Sequence, residues 1–309
     1  MQIIYQSEIK KLSPCVATVG FFDGLHAGHR FLIEELKGIA AEQHLQSVVV
    51  TFAVHPRKVL NSEFKPELLT TLSEKLIQLS TTGIDACIVL DFSRQMANLS
   101  AYEFLKTILQ EQFNVQTLLV GHDHRFGHNR ADGFPEYKQY GEELGMKVLK
   151  CTQFNTEVDK HISSSEIRNA LKTGEIELAN RLLTYEYSIQ GKVIEGFKNG
   201  RQIGFPTANI ELFDTEKIVP SVGVYAVRVN WDGQTFKGMM NIGHRPTLDN
   251  GLNISIEVHI LDFNADIYHQ ELEVSFMRKI RNEQRFESLE ALKEQLQKDK
   301  QYVLNLDMN

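Results

Sequence analysis

The 309-residue sequence predicts an α/β fold, a doubly wound parallel sheet, followed by a smaller antiparallel β unit that is either a sandwich or a small barrel. Three observations predict it. From residue 14 to about 150, short and continuously apolar segments alternate with helical ones, as in strands covered on both faces. After about residue 184, polar and apolar residues alternate along each segment, the pattern of half-exposed antiparallel strands. No repeat or low-complexity linker intervenes, and the rhythm changes near Thr184 to Tyr187, which divides the chain into residues 1–184 and 185–309.

Val16 to Val19 is the first buried strand, and it runs into Val19-Gly-Phe-Phe-Asp-Gly-Leu-His-Ala-Gly-His29. From Gly28 the pattern turns helical, with Leu32, Leu36, Ile39 and Ala40 on one face. Ser47–Phe52, Ala86–Phe92, Gln116–Gly121 and Lys147–Cys151 are the next strands. A capping box, Ser100 to Glu103, opens a helix carrying Phe104, Leu105, Ile108 and Leu109. Ligands of such sheets bind at the carboxyl ends of strands, where Gly20-Phe21, Phe52 and Gly121 fall, so these positions are expected to share one crevice.

In the second half, Tyr225–Val229, Ile254–Ile260 and Glu271–Phe276 alternate with period two. Turn clusters Trp231–Gln234 and Asp249–Gly251 separate them. Ser288 to Lys298 reads as a closing amphipathic helix with Leu289, Leu292 and Leu296 on its stripe.

Composition narrows the function. Hydrophobic content of 42% and charged content of 24% are those of a soluble globular chain. A net charge of −7 argues against a nucleic-acid surface. Cys15, Cys87 and Cys151 are scattered, which reads as reduced thiols rather than a disulfide framework or a zinc site. Met1 to Lys11 lacks the apolar core of a leader, and no apolar run reaches the roughly 20 residues of a membrane helix. A cytoplasmic protein acting on small molecules is expected, with no membrane or nucleic-acid partner; self-association is allowed.

The chemistry begins at the first turn. A strand, a glycine turn and a helix N-terminus present free N–H groups to an anion, and His26 and His29 add ring donors beside it. A loop with two solvated histidines would fit H-x-G-H alone; the strand-to-helix context favours the anion site. Ser163, Ser164 and Ser165 stand at a later helix start with Arg168 one turn in, which is either an ordinary cap or a phosphate clamp. Three histidines and Asp123 crowd Val120–His128, but their spacing matches no zinc pattern. Gly196, Gly200 and Gly204 recur every four residues, giving backbone room beside a nucleotide, with Lys198 and Arg201 supplying charge. Pro206 stiffens the segment before Thr207 and Asn209, whose hydroxyl and amide oxygens are hard donors suited to Mg²⁺. Glu257 shares a polar strand face with Ser255 and His259, which by alternation alone is a solvated surface.

Taken together, these motifs resemble the bacterial bifunctional riboflavin kinase/FAD synthetases. The adenylyltransferase motifs of that family stand at Gly20–His29, Thr51–Pro56, Val120–Gly127 and Ile162–Arg168. Its kinase motifs stand at Gly200–Asn209, Gly223–Ala226, Asn241–Thr247 and around Glu257. The resemblance covers nearly the whole chain, in the family's order. It implies a nucleotidyltransferase-type sheet, then a small antiparallel barrel with a C-terminal helix. The implied reactions are riboflavin + ATP → FMN + ADP in residues 185–309, then FMN + ATP → FAD + pyrophosphate in residues 1–184, both with Mg²⁺ and without zinc.

The resemblance also implies roles. His26, His29 and Glu257 would be catalytic, Glu257 as the base for the ribityl hydroxyl. In the transferase half, Gly20, Phe21, Asp23 and Gly24 would meet ATP, as would Gly121, Asp123, Ser163, Ser164 and Arg168. In the kinase half, Gly200, Arg201, Gly204 and Pro206 would line the nucleotide, with Mg²⁺ near Thr207 and Asn209. Phe52, His55, Pro56 and Arg281 would contact flavin or phosphate, while Arg278 and Lys279 read as solvated. Two departures stand out: Ala53-Val54, where many members carry an acidic residue and proline, and His124, where many carry an aromatic residue. Two rival readings are an adenylyltransferase for another phosphate acceptor, which leaves the second half unexplained, and a flavin-binding regulator that has lost catalysis, which should show damaged motifs.

Overall fold

The computed structural model describes residues 1–8, 12–122, 124–152, 162–196, 199–244 and 254–307. By internal contacts the chain forms two compact units, Met1–Ser164 and Ser165–Asn309.

The first unit is a six-stranded parallel sheet of β1 (Gln2–Tyr5), β2 (Cys15–Val19), β3 (Gln46–Phe52), β4 (Ala86–Leu90), β5 (Val115–Val120) and β6 (Lys147–Lys150), in the order β1-β4-β3-β2-β5-β6. Both faces are covered. Cys15, Ala17, Val19, Val48, Val50 and Ile88 pack into one core layer, while Val16, Val49, Cys87 and Val89 pack into the other. Double coverage explains why these strands read as unbroken apolar runs. The edge strand β1 was not legible, because it is four residues long and only Ile4 is buried.

Connecting helices are α1 (Ala27–Gln43), α2 (Pro56–Leu60), α3 (Leu72–Ser80), α4 (Arg94–Ala97), α5 (Ala101–Glu103) and α6 (Phe134–Leu144). The Ser100–Glu103 capping box forms as expected. Beyond it, α5 widens into a π-helix over Phe104–Gln112, a geometry that apolar spacing does not distinguish from α. Strand order reverses beside β2, so the crevice between the loops after β2 and β5 is the topological switch point. The three strands whose ends carry Gly20, Phe52 and Gly121 are immediate neighbours, β3-β2-β5.

The helix α7 (Ser164–Thr173) begins on the last residue of the first unit, and the second unit comprises the rest of it and α8 (Ile176–Leu183). It then forms a closed antiparallel barrel of β7 (Ser188–Ile194), β8 (Ala208–Leu212), β9 (Gly223–Trp231), β10 (Gln234–His244), β11 (Ile254–Ile260) and β12 (Glu271–Arg281). A short α9 (Asn199–Gln202) lies between β7 and β8. The β9–β10 hairpin turns on Asp232 and Gly233, both at positive φ (48° and 72°), as a two-residue type I′ turn requires. The other predicted turn, Asp249–Gly251, lies outside the described residues.

The last helix, α10 (Leu289–Leu304), is capped by Ser288, whose Oγ accepts the Ala291 N–H. Its expected stripe is corrected at one end. Leu289 is 59% exposed, and the anchors are instead Leu296 and the fully buried Val303, packed with Ala226 and Met239. The stripe lies further along because α10 continues beyond the predicted end at Lys298. No helix among the described residues is long and apolar enough to cross a membrane.

Candidate active sites

In the first unit, the chain leaves β2 and turns sharply through Phe22, Gly24 and Leu25, at φ 55°, 78° and 35°. Only Gly24 adopts such a conformation without steric cost. The Asp23 carboxylate holds the turn, accepting from the Leu69 and Thr70 backbone N–H groups at 3.0 Å each. The Asp23 carboxylate is buried and staples the turn to residues 69–70. Ser164 Oγ donates to the Asp23 carbonyl at 3.0 Å, so the serine motif reaches the same turn.

His26 is the N-cap of α1. Its Nδ1 accepts the His29 backbone N–H at 3.3 Å, which places its ring proton on Nε2. The His26 and His29 rings stack with centroids 3.7 Å apart and 16° between planes. Burial holds His29 well below the ordinary histidine range, and neighbouring His26, His124 and Lys75 push it the same way. Its Nδ1 is buried with no hydrogen-bond partner. His124, beside Gly121 in the loop after β5, is similar: its Nε2 is buried without a partner, and burial pushes it down to about 4. At neutral pH both imidazoles are uncharged, polar groups suited to a ligand rather than to each other's charge.

Phe52, His55 and Pro56 gather beside Phe21. The Phe21 and His55 rings meet edge-on at 4.7 Å, His55 Nδ1 caps α2 by accepting the Arg57 N–H, and Pro56 is its first residue. Sequence reasoning missed Lys75, which is buried at the ends of β2 and β3 with its Nζ donating to the Phe21 and Phe52 carbonyls. A signal was present: the spacing of Leu72, Leu76 and Leu79 places this lysine on the apolar stripe of α3. Asp123 lies outside the described residues, Ser163 is exposed, and Arg168 is half-buried on α7 in the second unit.

In the barrel, Asn209 of β8 is registered directly opposite Glu257 of β11, and Thr207 Oγ donates to Glu257 Oε2 at 3.1 Å. Thr207, Asn209 and Glu257 thus converge, which motif spacing alone did not require. The polar face of β11 is corrected from a solvated surface. Ser255 and His259 are buried, and His259 Nδ1 donates to the Pro206 carbonyl at 2.7 Å, fixing the segment that carries Thr207.

The glycine reading is corrected in part. The space at Gly200 is taken by the Phe205 carbonyl, and that at Gly196 by the Asn209 side chain, so the chain itself fills this room. Gly204 does occupy the left-handed region, at φ 82°. Arg201 Nη2 donates to the Tyr268 hydroxyl at 3.1 Å. Arg281 pairs within the barrel unit: its Nε and Nη2 donate to Asp299 Oδ2 at 3.0 and 2.8 Å, and Asp299 is 2% exposed. Arg278 pairs with Glu177 at 2.7 Å, and Lys279 Nζ donates to Ser221, so neither is merely solvated. Lys198 and Arg245–Thr247 lie outside the described residues. Among the described residues, no three His, Cys, Asp or Glu side chains gather as a metal site.

Comparison with known proteins matches both units. A family model described as FAD synthetase covers residues 8–166, and one described as riboflavin kinase covers residues 183–306. A bifunctional riboflavin kinase/FMN adenylyltransferase of Pseudomonas fluorescens is 41% identical over 92% of this chain and 90% of its own length. The protein of the same description from Bacillus subtilis is 39% identical over 95% of this chain and 93% of its own. A crystal structure from Streptococcus pneumoniae, described as a macrolide-efflux protein, superposes with a TM-score of 0.90 at 32% identity, covering 99% of this chain and all of that one. The sheet unit, the barrel unit and the order of their motifs all fit one conclusion: the chain belongs to the bifunctional riboflavin kinase/FMN adenylyltransferase family.

Proposed function

We propose that residues 185–309 phosphorylate riboflavin with ATP and that residues 1–184 transfer the adenylyl group of a second ATP to the resulting FMN. The observation that carries this reading is the convergence of Glu257, Thr207 and Asn209 on one patch of the barrel. A carboxylate there accepts the proton of the ribityl 5′-hydroxyl as its oxygen attacks the γ-phosphorus of ATP and the bond to ADP breaks. The Thr207 hydroxyl and Asn209 amide offer hard oxygen donors that would fit Mg²⁺, which when bound offsets the charge of the phosphates.

In the transferase unit, an oxygen of the FMN phosphate attacks the α-phosphorus of ATP and pyrophosphate leaves. The nucleophile is already ionised, so the protein has to position and stabilise rather than deprotonate. His26, with its proton on Nε2, and neutral His29 supply uncharged ring donors next to the free N–H groups at the start of α1. Ser164 is tied to the same turn. The reading carries with it a cytoplasmic, ATP- and Mg²⁺-dependent enzyme of flavin cofactor synthesis.

Chromatography of products from riboflavin, ATP and Mg²⁺ over time tests it. FMN should rise first and FAD should follow at its expense. Neither product, or FMN that never becomes FAD, would contradict it.

A further inference from the structure

The turn that presents the two histidines holds two non-glycine residues, Phe22 and Leu25, at positive φ. Such a conformation is sterically costly for a residue with a side chain and persists only where neighbours over-determine it. The Asp23 bonds to residues 69–70 are one restraint. Lys75 is the other. Its side chain is buried, its residue only 2% exposed, with Nζ 3.1 Å from the Phe21 carbonyl and 2.9 Å from the Phe52 carbonyl. The same ammonium sits 4.1 Å from the centre of the Phe21 ring. Phe21 follows β2 and Phe52 ends β3, adjacent strands, so one side chain joins the two strand ends on which both motif loops stand.

A neutral donor would satisfy these carbonyls without the cost of burying a charge. What a lysine adds is positive potential at the carboxyl edge of the sheet, where strand-end crevices bind anions. That charge reaches the histidine pair, since Lys75 is one of the groups holding His29 neutral. We propose that Lys75 is a positioning residue for adenylyl transfer, tying the Phe21 and Phe52 carbonyls together beneath the histidine turn and setting a buried positive charge under the phosphates. This rests on the reading that the first unit makes FAD, and FMN formation by the second unit of the same chain is the internal control.

Three titratable groups face Lys75: Asp23 from the turn, Cys87 from β4 and His29 from α1. Burial pushes Lys75 down to about 8, against Asp23 and Cys87, which raise it. Burial pushes Cys87 up to about 12 and holds His29 far below its ordinary range, so neither of these titrates near pH 8. Loss of charge on this lysine should therefore appear as an alkaline decline in FAD formation that FMN formation lacks.

The test is Lys75→Gln in the full-length chain, which keeps two N–H donors and removes the charge. FAD formation from FMN and FMN formation from riboflavin are measured from about pH 7 to 9, with circular dichroism as the check on folding. The expected result is a loss of about 10–100-fold in kcat/KM for FAD formation, FMN formation within about twofold of wild type, and no alkaline decline near pH 8. A folded variant with the wild-type rate and profile overturns the proposal, as does parallel loss of both activities. Should the variant not fold, the wild-type profile decides: FAD formation that stays flat across this range overturns it equally. A wild-type chain that makes no FAD at all would refute the underlying reading instead.

Discussion

His26 Nδ1 accepts the backbone N–H of His29 at 3.3 Å, while the two rings stack 3.7 Å apart. One side chain therefore does two jobs, ending the glycine turn as a helix cap and offering its remaining ring N–H beside the helix N-terminus. The two can be separated. His26→Asn keeps a capping acceptor for the same N–H, whereas His26→Ala removes it at a cost of about 1 kcal/mol. Both should depress FAD formation by roughly 10²–10³, but only the alanine variant should lower the urea midpoint measurably. Full FAD formation by His26→Asn would reduce His26 to a cap.

The neutral histidines set a pH dependence of stability. Burial lowers His124 to about 4 in the folded chain, against about 6.5 when unfolded. Between these values the unfolded chain binds more protons, so stability is intact above about pH 6.5 and falls as pH drops towards 4. His124→Phe removes this contribution. Thermal melts of the variant should lose on the order of 2–3 kcal/mol less than wild type across that window. Identical pH dependence in the two proteins would show His124 to be solvated.

Arg281 and Asp299 form a two-point ion pair on the barrel, with Gln295 donating to the same carboxylate at 2.8 Å. Asp299→Ala should destabilise the chain by about 3–5 kcal/mol, because a largely buried guanidinium is left unmatched. The double variant Arg281→Met/Asp299→Leu should recover most of that in denaturant melts and keep riboflavin phosphorylation. Loss of phosphorylation in a folded double variant would return Arg281 to the nucleotide.

Much of the fold was legible because burial writes itself into spacing. The two-sided core of β2–β5 appears as unbroken apolar runs, and the β9–β10 turn as Asp232-Gly233. The histidine turn was legible because strand, glycines and helix start are contiguous. What stayed hidden depends on distant partners. Nothing in the spacing shows that Asp23 is held by Leu69 and Thr70, or that Arg281 is paired with Asp299. His259 looked solvated until Pro206 was found across from it, and Lys75 was one lysine among many until its helix packed over two strand ends.

Two variants assayed for both products test the division of labour between the units. His29→Ala in the full chain should convert riboflavin to FMN at nearly the wild-type rate, with FAD formation reduced roughly 10²–10³-fold. Glu257→Gln should do the reverse, losing about 10²–10⁴ in riboflavin phosphorylation while still converting supplied FMN to FAD. Folded variants in which both activities fall together, whichever residue is changed, would contradict two separate sites.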